Sequence, residues 1–124
     1  EWSKLTPMKK QRSSPASCVL NGKLYVIGGR SHTGTWADGE CYDPECGSWS
    51  PIRPMKRGRE ALAATAFNGH IYVVGGYDES TNEVLNEVER YDPISDTWVI
   101  LRNMNGKRAF SSLVVSCGKL FAIG

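Results

Sequence analysis

The chain repeats itself, and the period limits its fold more than any composition does. Trp2, Trp49 and Trp98 lie at intervals of 47 and 49 residues, and Met8, Met55 and Met104 keep the same intervals. So do Arg12, Arg59 and Arg108. Asn21-Gly22, Asn68-Gly69 and Cys117-Gly118 come next, followed by Gly28, Gly75 and Gly124. The segment GECYDPECGSW (39–49) returns as EVERYDPISDTW (87–98), and the two extra residues of the second unit fall between Gly76 and Glu89. A period of this length marks one supersecondary unit used several times, each copy burying its apolar face on the next.

Each unit reads as four short strands, a to d. Strand a is small and apolar (Ala16–Leu20, Leu62–Phe67, Ser112–Ser116) and in the first two units turns at Asn21-Gly22 or Asn68-Gly69, the strongest short hairpin signal. Strand b follows as Lys23–Ile27, His70–Val74 and Lys119–Ile123, rich in β-branched and aromatic residues. A long connection leads to strand c, which ends at Tyr42 or Tyr91. Asp-Pro turns at 43–44 and 92–93 then deliver strand d with Trp49 or Trp98. No segment keeps a helical period, so the expected class is all-β. Residues 1–6 read as strand d of a preceding unit, 12–52 and 59–101 as complete units, and 108–124 as strands a and b of a further one.

The apolar run LYVIGGR (24–30) ends on Gly28 and Gly29, and IYVVGGY (71–77) on Gly75 and Gly76. A phosphate cradle would need GxGxxG or GxxxxGK[ST] opening a helix, and neither pattern occurs. These glycines are therefore expected to serve the backbone, taking positive φ or admitting another strand closely. Trp49, Trp98, Tyr42 and Tyr91 are expected to pack within their units.

Length and composition, with 124 residues, 40% hydrophobic and 23% charged, suit a folded domain. A formal net charge of +2 does not point to nucleic acid, and no apolar run is long enough for a membrane helix. Four irregularly spaced cysteines without CxxC, and no Asn-x-Ser/Thr, favour a reduced, cytoplasmic setting. No metal or cofactor site is expected: His32 has no second histidine in its segment, and His70 sits in a turn. No nucleophile–base–acid set appears, so catalysis is not expected of this segment. The chain starts at Glu1 without a methionine and stops inside a unit, as a piece of a longer protein would.

Antiparallel strands sort the connections onto two faces. The d-to-a and b-to-c segments share one face, long and varied, while the tight a-to-b and c-to-d turns share the other. The d-to-a segments carry Lys9, Lys10 and Arg12, then Arg53, Lys56, Arg57 and Arg59, then Arg102, Lys107 and Arg108. This basic collar, with an acidic b-to-c loop of Asp78, Glu79 and Glu83 beside it, suits an acidic or mixed-charge peptide. The recurring arginines have two readings: partner contacts, or bonds to a neighbouring unit and its carbonyls. Ser13, Arg30, His32, Trp36, Glu60, Tyr77 and Asp78 do not recur and are the better candidates for specificity. Trp36 stands apart from the repeating tryptophans, beside Arg30, as an aromatic anchor would.

The Met…Arg segment, the double glycine, the Tyr-Asp-Pro and the spaced tryptophan together resemble the kelch repeat across essentially the whole chain. The departures are Cys117 where Asn21 and Asn68 stand, and the last repeat ending after its first glycine. The resemblance implies a β-propeller fragment, with two complete four-stranded blades and parts of two others. It also implies partner contacts where the Arg segments meet the post-glycine loops, here Arg12, Ser13, Arg30, Arg59, Glu60, Tyr77 and Arg108. Among kelch proteins the chain most resembles BTB–kelch adaptors, whose propeller captures a substrate protein while other regions contact a cullin ubiquitin ligase. An actin-binding kelch scaffold is the alternative; an oxidase-like kelch enzyme would need a His/Tyr cluster this segment lacks.

Overall fold

A computed structural model describes residues 1–124. The first blade holds β1 (Ala16–Leu20), β2 (Lys23–Ile27), β5 (Gly39–Asp43) and β6 (Ser48–Ile52), with a small hairpin, β3 (Arg30–Ser31) and β4 (Gly34–Thr35), inside its b-to-c connection. The second blade repeats the plan with β7 (Ala63–Phe67), β8 (His70–Val74), β11 (Val88–Asp92) and β12 (Thr97–Ile100), and its small hairpin is β9 (Tyr77–Asp78) with β10 (Glu83–Val84). β13 (Ser112–Ser116) and β14 (Lys119–Ile123) form a further hairpin. Strand order is β1-β2-β5-β6 in one blade and β7-β8-β11-β12 in the other, every pairing antiparallel. No helix long and apolar enough to cross a membrane is present.

The a-to-b turns follow from their sequences. Asn21 and Gly22 take φ of 52° and 74°, and Asn68 and Gly69 take 50° and 75°, the paired left-handed residues of a two-residue hairpin whose twist matches its strands. Cys117 and Gly118 adopt 50° and 70°, so cysteine occupies the left-handed position that asparagine fills elsewhere.

The a strands β1, β7 and β13 lie side by side, innermost in their sheets. One apolar cluster joins the two blades: Tyr25, Ile27 and Cys41 of the first meet Leu62, Ile71, Val73 and Tyr91 of the second, with Met55 between. At about 25 cal/mol per Å² of apolar surface removed from water, this burial is the main force seating blade on blade. At the outer side Tyr42 leans on Trp49 at 5.1 Å and Tyr91 on Trp98 at 5.0 Å. Each indole N–H reaches an incoming segment, Trp49 Nε1 donating to Thr6 O and Trp98 Nε1 to Arg53 O, both at 2.6 Å.

Three details differ from the sequence reading. Residues 1–6 form no strand and Trp2 is fully exposed. A d strand is held by strand c of its own blade, as β6 by β5, and no such strand lies beside residues 1–6. Strand a of the second blade begins at Ala63 rather than Leu62, because Ala61 is left-handed (φ 54°) and Leu62 turns into the core. The β3–β4 and β9–β10 hairpins were not foreseen: two paired residues per strand are too few to leave a period in the sequence.

Candidate protein-binding face

The double glycines sit where one blade hands its backbone to the next. Gly28 and Gly29 have φ of 71° and 94°. A Cβ on Gly28 would lie 2.6 Å from Arg59 O, and one on Gly76 2.7 Å from Glu60 O. Only glycine permits both the dihedral and the approach. In return the backbones bond: Gly29 N donates to Arg59 O and Gly76 N to Arg108 O, at 2.9 and 2.7 Å. The next bonds repeat as well, Arg59 N to Trp36 O and Arg108 N to Leu85 O, both 2.9–3.1 Å.

The recurring arginines belong to the same joint. Arg12 donates to Gly28 O at 2.9 Å, Arg59 to Gly75 O at 3.2 Å and Arg108 to Gly124 O at 2.9 Å, a constant separation of 16 residues. Arg12 and Arg59 also reach carboxylates of strand c, Glu40 at 3.4 Å and Glu89 at 2.5 Å. Burial pulls the Arg59 guanidinium below its usual range, opposed by Glu89 and Glu87. Both side chains have no exposed surface. Of the two readings open for these arginines, the structure supports carbonyl and blade contacts; Arg12 and Arg59 have nothing to offer a docked partner, and Arg108 is turned on Gly124. Glu40 and Glu89 escaped the sequence reading, although they recur in step with the arginines.

The non-recurring candidates do come together. Ser13 and Arg30 exchange backbone bonds of 2.9 Å, and Glu60 and Tyr77 exchange bonds of 2.9 and 2.8 Å. The Arg segments and post-glycine loops therefore meet on one face. Between the blades Arg30 spans the junction, donating to Glu60 at 3.0 Å and to both Glu79 oxygens at 3.2 Å. Tyr77 donates its hydroxyl to Asn82 across its own hairpin. Asp78 is buried, accepts from the Ser80 hydroxyl at 2.7 Å and faces Arg57 at 3.5 Å. Thr33, Gly34, Thr35, Gly58, Asp78, Glu79 and Ser80 line a polar pocket of ≈ 230 Å³ between the hairpins.

These contacts correct the basic collar. Lys10 pairs with Asp38 at 2.5 Å, Lys56 with Glu87 at 3.8 Å, and Arg57 with Glu87 at 3.2 Å besides Asp78 and Glu83. At the junction of the two blades Glu60, Asp78, Glu79, Glu83, Glu87 and Glu89 face only Arg30, Lys56, Arg57 and Arg59. Carboxylates outnumber cations there, so this junction of the collar is no field for an acidic peptide. Asp78 and Glu83 of the acidic b-to-c loop, with Glu87, are brought across onto Arg57 of the d-to-a segment. Burial alone would raise the Asp38 carboxyl, but Lys10 and Arg12 beside it hold it below the usual carboxylate value.

Trp36 is also placed differently. Its backbone holds the repeat position of Leu85: Trp36 N donates to Gly29 O and Leu85 N to Gly76 O, both at 2.8 Å. The indole is half-buried, with Lys10 Nζ 3.8 Å from the ring centroid. It is a joint residue, disguised in the sequence by the two extra residues that precede Leu85. His32 is exposed at the tip of the first hairpin. No group of three or more His, Cys, Asp or Glu side chains is placed to hold a metal ion. Burial pushes the Cys18 thiol up to about 11.

Four-stranded antiparallel blades stacked about shared inner strands are those of a β-propeller, and this chain is a fragment of one. Residues 11–56 and 58–105 match the Kelch motif, and the chain belongs to that family. It is 28% identical over its whole length to Kelch-like protein 26 of Danio rerio, covering 20% of that protein. Over 84% of its length it is 40% identical to Kelch-like protein 23 of Pongo abelii, covering 18%. The chain thus spans about a fifth of the length of these relatives. The solved structure of YjhT superimposes with a TM-score of 0.82 at 22% identity, over 95% of this chain and 35% of that one, a likeness of fold. Kelch repeats of this kind make a propeller module for protein interaction.

Proposed function

We propose that this segment is part of the substrate-recognition propeller of a BTB–kelch-type adaptor acting in the cytoplasm. In this reading the face of d-to-a and b-to-c segments captures a substrate protein, while regions elsewhere in the parent protein engage a cullin ubiquitin ligase. The segment itself binds and does not catalyse. The observation that carries the reading is the face itself. Ser13, Arg30, Glu60 and Tyr77 vary between blades that are otherwise alike, yet backbone bonds hold them side by side on rigid sheets. The similarity to two Kelch-like proteins supports the choice of adaptor.

Affinity purification of the parent protein from cells, with and without proteasome inhibition, tests it. A cullin together with a second protein that accumulates under inhibition is the expected result. Actin or other filament proteins without a cullin would replace the adaptor with a cytoskeletal scaffold.

A further inference from the structure

The outermost strands of the two blades differ in how their free edges are protected. β6 reads Ser48-Trp49-Ser50-Pro51-Ile52 and β12 reads Thr97-Trp98-Val99-Ile100, so Pro51 and Ile100 hold equivalent places, opposite Glu40 and Glu89. Strand c holds each on its inner side, and no strand lies beyond either. Leu101 N donates to Val88 O, and such bonds fall on alternate residues of an antiparallel pair. The N–H and C=O of Trp98 and Ile100 therefore point away from strand c, off the perimeter of the propeller, and no turn or loop backbone bonds them. In the first blade proline removes the N–H at that place, a common guard on an open edge. The second blade carries no such guard, with valine and isoleucine where the first has serine and proline.

The edge is open because of its place in the blade. Ile100 turns to the completed junction with the first blade and is still 57% exposed. Val99 turns to the other side, where its counterpart Ser50 is exposed although the second blade stands beside it. Pro54, Met55, Trp98 and Ile100 line a cleft of ≈ 330 Å³ along the edge, with Arg53 and Lys56 at its margin. Arg53 is exposed, donates its Nε–H to Asp96 O at 3.1 Å, and takes no part in the ion pairs that join the blades. The Asp96 carboxylate is occupied instead by the Tyr91 hydroxyl and the Arg53 N–H, at 2.6 and 2.9 Å. We infer that the outer edge of β12 is a second binding site, which takes an extended segment of a partner protein as a fifth, outermost strand of the second blade. Residues of that segment opposite Trp98 and Ile100 share their face of the sheet, so aliphatic side chains there enter the cleft, and a carboxylate beside them meets Arg53. The site lies on the perimeter, apart from the d-to-a and b-to-c face, and goes beyond the recognition assigned to that face.

The test is selection of phage-displayed random dodecapeptides on the full-length parent protein, with every peptide that also binds Ile100→Pro discarded. That variant copies the residue of the first blade, so it is expected to melt as wild type does. Recovered peptides are expected to alternate aliphatic with polar residues and to carry Asp or Glu, and Arg53→Ala is expected to bind them several-fold more weakly. Synthesised with N-methyl groups on alternate residues, a peptide is expected to lose about tenfold or more in affinity in one series and little in the other, because only one set of its N–H groups faces the sheet. Recovery of no such peptide, the same response in both N-methyl series, or unchanged affinity for Arg53→Ala overturns the inference. So does a marked drop in melting temperature for Ile100→Pro, which would mean that this N–H serves the blade itself. Self-association of the parent protein that Ile100→Pro abolishes would give the edge to a second copy and overturn it too. The adaptor reading is judged separately by co-purification of a cullin, which does not depend on β12.

Discussion

The junction between the first and second blades and the junction between the second blade and the last hairpin share one backbone and differ in their side chains. In both, the second glycine donates to the carbonyl of the following arginine, that arginine's own N–H reaches the b-to-c segment, and a left-handed residue continues the ring at the axis. Around this common frame the first junction sets Trp36, Arg30, Glu60 and Glu79, and the second sets Leu85, Tyr77, Val84 and Phe110. Architecture resides in main-chain bonds and in a buried Arg–Glu pair, so the side chains at the rim are free to vary. Identical frames with one polar and one apolar rim are how a repeated unit acquires a specific surface.

The largest effect is expected from breaking the frame itself. Gly75→Val forces a β-branched residue into positive φ with its Cβ against Arg108 O, and should cost about 4 kcal/mol. Chemical denaturation of the parent protein reads this directly; a wild-type midpoint would refute the backbone role of the glycines. Next comes the buried pair. Arg59→Met leaves Glu89 enclosed without its partner and should cost about 3 kcal/mol. Arg12→Met should cost less, because its contact with buried Glu40 is the longer at 3.4 Å and its other partner, Asp38, keeps a third of its surface in water. Equal losses at Arg12 and Arg59 would mean the two blades do not differ in the way their burial implies.

Trp98→Phe removes the indole donor to Arg53 O while keeping most of the ring stack, and a loss of about 1 kcal/mol is expected from the same denaturation curves. A smaller effect should appear with acid. The Asp38 carboxyl is held below its unfolded value, so its contribution is complete above the ordinary carboxylate pKa and is lost as pH falls through the lower folded value. Melting curves from pH 6 down to about pH 2 should therefore lose a component in Asp38→Asn. Arg30→Ala, at the half-exposed first junction, should change stability by less than about 0.5 kcal/mol. Reversing Lys56 and Arg57 would leave Glu87, Asp78 and Glu83 facing like charge, so that pair of changes is expected to loosen the fold and is no clean probe of a partner's charge.

Much of this was legible in the sequence. Asn21-Gly22 and Asn68-Gly69 announce hairpins because their residues tolerate the two left-handed positions, and every b strand falls within its expected bounds. The glycine pairs, the tyrosines and Trp49 and Trp98 repeat because each occupies one structural niche per blade. Local chemistry of that kind depends on neighbours a few residues away or one repeat away, and a period exposes it. Charge is another matter. Whether Arg57 is a free cation or a bound one depends on Asp78 and Glu87, which only the stacking of blades brings near. The same holds for Trp36, whose niche is defined by its bonds to Gly29 and Arg59, and for Phe110, whose left-handed backbone is set by Ala61 in the neighbouring blade. The sequence by itself determined the strands, their turns and the repeat, since these are short-range properties of the chain. The tertiary structure decided which charges are spent within the molecule and which side chains remain for a partner, because pairing across blades is a matter of distance in space.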